Sequence, residues 1–301
     1  MAERLNAVAD GERASQPEPD TIAGVVAAYR ETDEYRDLAP GTLKYYRRYL
    51  RDIEALGPRL PFASFTRRAV VNYIESYSKP HQRRQAAAVL KNLFKLARYR
   101  GLVHGDETTD LRLRGTKPRD RVWSDDEITR WLDAAAMEDP HMTTGFLLLQ
   151  YTAQRPSDVL QMIWPHYSGS AIRLRQLKTK TLLDVPVHPA LAEHIDGLSR
   201  SSASLTIVSY RSRPVKYGRF NERFRRIAER AGIEGAQARD LRRTAMLRMA
   251  EAGATVPQIA SVSGHSIEAT QRILETYLPK NRALAEIAIT RLAEYKQRSK
   301  V

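Results

Sequence analysis

A chain of 301 residues with 42% hydrophobic and 28% charged side chains has room for two ordinary domains with separate cores, and excludes wholesale disorder. The absence of cysteine excludes disulfides and thiolate-zinc sites, no apolar run is long enough to span a bilayer, and the seven histidines are scattered without HExxH-like spacing, so no metal site is expected. A formal net charge of +14 and a pI of about 10.0, with arginine supplying most of the excess, make nucleic acid the expected partner ahead of an anionic membrane surface, because the planar guanidinium fork matches phosphate.

Residues 1–20 carry acids and prolines where a signal peptide would have an apolar core, and read as the disordered leader of a cytoplasmic protein. From Thr21 a helical period begins, with Ile22, Val25, Val26 and Tyr29 on one face. Thr42 is expected to cap a second helix carrying Leu43, Tyr46, Leu50 and Ile53, ended by Gly57-Pro58 and Pro61. Thr66 caps a third with Val70, Tyr73, Ile74 and Tyr77, and a fourth runs over 81–99 with Ala86, Leu90, Leu93 and Ala97 inward. Residues 21–105 thus form a helical domain. Two of its polar faces are basic: Lys44, Arg47, Arg48 and Arg51 on one helix, and Arg83, Arg84, Lys91, Lys95 and Arg98 on another. A single charged face is ordinarily just solvated. Two of like sign, with few acids between, point to a DNA-contacting surface.

The period disappears over 106–122, where Arg112, Arg114, Lys117, Arg119 and Arg121 crowd a basic linker. Ser124-Asp-Asp-Glu127 has the form of a capping box and opens a second domain, 123–301. Within it, 146–151 reads as a buried apolar helix and 157–164 as another. Two strands, 171–178 and 182–188, alternate through Ile172, Leu174, Val185 and Val187 as a hairpin, and 205–210 is expected to add a third. Helices are expected over 220–231, 241–252, 257–263, 267–277 and 284–295. The fold class is therefore mainly α with a small antiparallel sheet.

Six side chains in this second domain bear chemistry. Arg155 stands in an apolar stretch, where an arginine is expensive unless paired; Asp158 is near enough in sequence to make a purely structural ion pair the competing explanation. Arg239 and Arg242 lie three apart, on one helical face, whereas Arg243 points elsewhere and reads as a salt-bridged surface residue. Lys178 sits at the end of the hairpin's first strand. His265 follows Gly264 in a segment that also has helix-turn-helix spacing, where it would be a plain turn residue. Tyr277 near a helix end is ordinarily a packing residue, and its phenol becomes a nucleophile only where nearby cations favour the phenolate.

Taken together, Thr152-Ala-Gln-Arg155-Pro-Ser-Asp158, Gln176-Leu-Lys178-Thr, Arg239-Asp-Leu-Arg242, Gly264-His265 and Tyr277-Leu-Pro resemble, in order, the motifs of the tyrosine recombinases, or phage integrases. The family pattern is T-G-x-R-x-(S/T)-(D/E), a hairpin lysine, H-x-x-R, G-H and a nucleophilic tyrosine. The resemblance covers nearly the whole chain from residue 21 and implies a helical core-binding domain followed by a catalytic domain. It implies attack of Tyr277 on a phosphodiester to give a 3′-phosphotyrosine, a clamp of Arg155, Arg242 and His265 on the non-bridging oxygens, and Lys178 as general acid, with Lys180 as the alternative lysine. It implies neither metal nor ATP, a homotetramer exchanging strands of double-stranded DNA through a Holliday junction, a final helix packed on a neighbouring copy, and accessory DNA-bending proteins as further partners. Lys44, Arg47, Arg48, Arg83, Arg84, Lys91, Lys95 and Arg119 are the expected DNA contacts. Two departures matter. Arg239 replaces the usual histidine and cannot act as a base, and His265 and Tyr277 are farther apart than is common. The alternatives are a non-catalytic regulator using 257–270 as a helix-turn-helix, and a type IB topoisomerase-like enzyme.

Overall fold

The computed structural model describes residues 17–115, 119–136, 140–198, 204–277 and 282–298, with the side chains at 277, 282–284, 287 and 296–298 excepted. The expected leader lies almost wholly outside these residues, as does Lys117. The chain forms two compact units, residues 1–118 and 119–301.

In the first unit, α1 (Ile22–Arg30), α2 (Asp33–Arg36), α3 (Pro40–Glu54), α4 (Arg67–Glu75) and α5 (Pro80–Tyr99) enclose one core. Helix α1 starts where the Thr21 hydroxyl accepts the Gly24 N–H at 3.1 Å, and α4 where Thr66 accepts from Ala69. Helix α3 departs from expectation. It begins at Pro40, without a side-chain cap, and Thr42 lies inside its first turn. Proline lacks the N–H that the first turn leaves unbonded and has a helical φ already set, so it starts the helix before the threonine can. The four-residue α2, capped by Thr32, is too short to leave a period in the sequence. Buried phenols are satisfied internally: Asn92 Nδ2 donates to Tyr29 Oη at 3.1 Å and to Tyr46 Oη at 2.9 Å.

The start of the expected linker is folded onto this unit. Arg67 donates to the carbonyls of Glu107 at 2.8 Å, Asp110 at 3.3 Å and Thr109, while Leu111 and Leu113 pack on the core.

The second unit is arranged about α7 (Pro140–Thr152), preceded by α6 (Asp125–Ala136). Ser124 and Glu127 do form the reciprocal capping box, both bonds at 3.1 Å. Helix α7 is apolar nearly all round, with Met142, Phe146, Leu148 and Leu149 at zero exposure, so it must be covered on every side. Trp131 of α6 stacks on Phe146 at 4.4 Å and lies 4.7 Å from the ring of Phe224. Next come the short α8 (Pro156–Val159) and the hairpin of β1 (Ala171–Arg175) and β2 (Leu182–Pro186), in which Ile172 pairs with Val185 and both are buried. The helix expected over 157–164 starts at Pro156 and stops at Val159, and a separate 3-10 turn follows at Trp164–His166. After α9 (Pro189–Asp196), the third expected strand fails to join the hairpin. Only β3 (Ser209–Tyr210) forms, pairing with β4 (Arg213–Pro214), because Arg211 and Ser212 reverse the chain at once with φ of 48° and 58°. Helices α10 (Tyr217–Arg230), α11 (Asp240–Glu251), α12 (Val256–Ser263), α13 (Ile267–Tyr277) and α14 (Arg282–Arg298) complete the unit. None of the described helices is long and apolar enough to cross a membrane.

Candidate active site

Three sequence-distant segments bring Arg155, Arg242 and His265 together. Helix α7 ends at Thr152, and Ala153 takes the left-handed conformation with φ 51°, turning the chain sharply. Such a residue costs about 1 kcal/mol; the Ala153 methyl, fully buried, offsets part of it. The turn leaves Arg155 as the cap of α8, its Nη1 3.3 Å from Gln176 Oε1 and 3.5 Å from Asp158 Oδ2. The ion pair with Asp158 thus exists. It is not the whole of Arg155's surroundings, because Asp158 also accepts the Leu177 N–H at 2.9 Å through Oδ1 and so ties the hairpin turn to the same place.

Arg242 lies in the first turn of α11 and is only 7% exposed. Its Nη2 is 3.0 Å from both ring nitrogens of His265, so it donates to whichever is unprotonated. Its Nη1 is buried and has no hydrogen-bond partner among the described residues. Burial first, then the nearby charge of Arg155, pull the Arg242 guanidinium down to about 9, with Asp158 pulling the other way. His265 is pulled down to about 4 by burial and by Arg242 and Arg155, and is therefore neutral at pH 7. It is placed by Gly264, which ends α12 at φ 70°, and by Ser263, whose hydroxyl is 3.1 Å from Nδ1. A Cβ at Gly264 would stand 2.7 Å from Gln176 Nε2 and 2.9 Å from Leu183 Cδ1, so both the backbone conformation and the space demand glycine here. Residues 256–270 do fold as helix, turn and helix, but His265 is committed to Arg242, which the regulator alternative does not require.

Two half-buried to buried guanidiniums stand beside a neutral imidazole, with Asp158 as their counter-charge, an arrangement whose chemistry suits an anion. Lys178 is exposed, in the turn between β1 and β2 and not at a strand end as expected, because β1 stops at Arg175. Arg239 is exposed at the cap of α11, one turn from Arg242. Tyr277 closes α13; its side chain lies outside the described residues. Among those residues no three His, Cys, Asp or Glu side chains gather as a metal ion requires.

The expected DNA contacts divide. Lys44, Arg47, Arg48 and Arg51 line a 610 Å³ cleft with Tyr45 and Gln85. Arg84 and Lys91 are exposed; Lys95 faces Glu34 at 3.3 Å on open surface, a weak pair. The Nε of Arg83 is occupied by the Tyr77 carbonyl at 2.6 Å. Arg119 is engaged within its own unit. It grips Asp240 through Nε at 2.7 Å and Nη2 at 2.6 Å, and also reaches the Gly235 carbonyl. Asp240 is 2% exposed, and a carboxylate so buried needs a cation.

The sequence model of the phage integrase family matches residues 121–278, over half of the chain. The chain belongs to the phage integrase family. No curated protein sequence matches it. Among solved structures, a lambda integrase (75–356) dimer bound to a COC′ core site is similar with a TM-score of 0.73 and 20% identity, covering 82% of this chain and 95% of that one. A lambda integrase tetramer bound to a Holliday junction gives 0.73 and 20%, over 82% and 77% of the two chains. The Tn1549 transposon integrase (82–397) in complex with circular intermediate DNA gives 0.68 and 14%, over 89% and 99%. At such identities the likeness speaks for the shared fold.

Two features of this family member escaped the sequence reading. Gln154 and Gln176, both at zero exposure, bond to one another and to the segments carrying the candidate residues. Nothing in hydropathy distinguishes a buried glutamine from a surface one. The second is a 620 Å³ cavity lined by Tyr210, Arg211, Arg213, Lys216, Arg219 and Arg223, among others. Arg211, Arg219 and Arg223 place their guanidiniums 5.2, 5.6 and 5.1 Å from the Tyr210 ring centroid. Five cations within 13 residues were a visible signal.

Proposed function

We propose that this chain is a site-specific recombinase that cuts and rejoins double-stranded DNA through a tyrosyl-phosphate intermediate. The observation that carries the reading is the buried Arg242 Nη1 without a hydrogen-bond partner among the described residues, set beside Arg155 and His265. A phosphodiester supplies the missing acceptor and the missing charge together. In the reaction the Tyr277 oxygen bonds to phosphorus, its proton passing to solvent. The bond from phosphorus to O5′ breaks, and Lys178 gives O5′ its proton. Charge growing on the non-bridging oxygens is held by Arg155, Arg242 and a ring N–H of His265; one such donor is worth about 3 kcal/mol in the transition state. Rejoining is the reverse attack by a 5′-hydroxyl, so the phosphoryl energy is conserved in the covalent link.

The cleft at Lys44, Arg47, Arg48 and Arg51 and the cavity around Tyr210 would hold the DNA backbone, with Arg84, Lys91 and Arg239 as further contacts. A tetramer would join two recombination sites, as in the lambda integrase tetramer bound to a Holliday junction. Helix α14 leaves Ile289, Leu292 and Tyr295 at least half exposed, which suits packing on a neighbouring copy.

The test is covalent trapping. A library of nicked duplexes of randomised sequence, in which the strand 3′ of the break diffuses away, should yield an SDS-resistant adduct with the protein, and sequencing the trapped DNA identifies the site. Tyr277→Phe should abolish the adduct while keeping DNA affinity. An adduct unchanged in that variant rejects the assignment. Relaxation of plasmid DNA with no pairing of two sites would favour a topoisomerase.

A further inference from the structure

Gln176 touches each of the three segments that carry Arg155, Lys178 and His265. Its Nε2 donates to Gln154 Oε1 at 2.7 Å and to the Ser263 carbonyl at 2.8 Å. Its Oε1 accepts from Arg155 Nη1 at 3.3 Å and from Thr179 Oγ1 at 2.6 Å. Gln154 is as fully used as a donor, giving its Nε2 hydrogens to the carbonyls of Thr152 at 2.9 Å and Val262 at 2.8 Å. These bonds fix which way each amide points, because a flipped Gln176 would set its oxygen against the Ser263 carbonyl. By contrast, residues 177–180 of the hairpin turn are all exposed. Besides the backbone bonds that close the turn, their tethers among the described residues are Asp158 on the Leu177 N–H and, on the Thr179 hydroxyl, Gln176, with Thr181 Oγ1 also donating to that hydroxyl at 3.1 Å. Lys178 sits between these two tethers.

We propose that Gln176 is a positioning residue that fixes the Lys178 turn relative to the Arg155 phosphate clamp, so that delivery of the proton to the departing O5′ depends on it. Gln176 does not touch the DNA. The inference rests on Lys178 being the general acid. A solvated hairpin tip wanders by several ångströms, whereas proton transfer requires hydrogen-bond reach. The Gln176 amide is the link through which a core packed around α7 and α12 reaches that tip.

The test separates proton delivery from every other step. The nicked duplex bearing the trapped sequence is prepared with O5′ at the scissile phosphate or with sulfur in its place. A departing thiolate needs no proton, since a thiol ionises near pH 8.5 and an alcohol far higher. Single-turnover cleavage is measured on both for the parent, Lys178→Ala, Gln176→Met and Thr179→Val. Thr179 is exposed, so its variant folds whatever happens to the core, and thermal melts verify the others. Lys178→Ala should slow the oxygen substrate by about 100-fold or more and be restored by sulfur. Gln176→Met and Thr179→Val should slow the oxygen substrate by about tenfold and be restored likewise. If sulfur rescues Lys178→Ala while the other two variants slow both substrates alike, or neither, the positioning inference is overturned and the general-acid reading survives. If sulfur fails to rescue Lys178→Ala, the general-acid reading falls and takes the inference with it.

Discussion

Replacing Arg242 by methionine should make the DNA-free protein more stable and nearly inactive. Arg242 is 93% buried by complement of its 7% exposure, and one guanidinium nitrogen has no acceptor. A guanidinium pulled from 12.5 to about 9 is held charged in the folded state at a disadvantage of roughly 5 kcal/mol. Against this stand the bonds to His265, worth about 1–1.5 kcal/mol, and packing of the aliphatic stem, which methionine largely preserves. Arg155 keeps Asp158, so no carboxylate is orphaned. The difference, a net gain of about 3–4 kcal/mol, corresponds to a rise of about 6–16 °C in Tm for a domain of this size. Loss of one donor to the transition state should slow cleavage by about 10²–10³-fold. Calorimetry without DNA and single-turnover adduct formation measure the two effects. A variant that melts several degrees below the parent would mean that Arg242 is a structural cation and that the cluster was not built for an anion. A stable, fully active variant would remove it from the clamp.

Other consequences are independent of that experiment. Gly264→Ala forces a Cβ at φ 70° to within 3 Å of Gln176 and Leu183, and should cost about 2–4 kcal/mol in urea unfolding; a loss under about 0.5 kcal/mol would show that the turn relaxes freely. Because the folded protein holds His265 near 4 and the unfolded chain near 6.5, only the unfolded state takes up this proton as pH falls between those values. Stability should therefore drop from about pH 6.5 to about 4 and level off below. His194, also lowered by burial, acts in the same direction, so the comparison is with His265→Gln, in which the dependence should be shallower. Replacing both Arg219 and Arg223 by glutamine should lower the slope of log affinity against log salt by about 1.8 if each meets a phosphate, and an unchanged slope would place the Tyr210 cavity off the DNA.

Much of the helical framework was legible because burial enforces a 3.6-residue period, as with Ile22, Val25, Val26 and Tyr29 on α1. Helix starts were legible where a side chain made the cap, at Ser124 and Thr66, and misread where proline did it, at Pro40. The single residues of the clamp were legible for a different reason. Arg155 interrupts a segment that otherwise asks to be buried, where a cation needs an explanation, and Arg242 was singled out by its one-turn spacing from Arg239. What the sequence could not convey was pairing at long range. Arg119 finds Asp240 across 121 positions, and Gln154 finds Gln176 across 22, through a tertiary arrangement that leaves no local pattern. The span 205–210 failed for a related reason, since its β-rich composition says nothing of the turn at Arg211 that cuts the strand short.

The proposed clamp and the proposed nucleophile come from separate stretches of the chain. Among the described residues, the bonds that orient Arg155, Arg242 and His265 are made by residues 152–265, from the left-handed turn at Ala153 to Ser263. Tyr277 comes at the far end of a helix that begins only after that set closes. On the proposed reading, the unfavourable charge around Arg242 is relieved when a phosphate binds, before any bond to phosphorus forms. Relief on binding raises affinity for any DNA phosphate alike. Selective cleavage must then come from whatever brings the phenol and the Lys178 turn to the gripped phosphate together, which is why the amide bridge at Gln176 bears on rate and leaves affinity to the arginines.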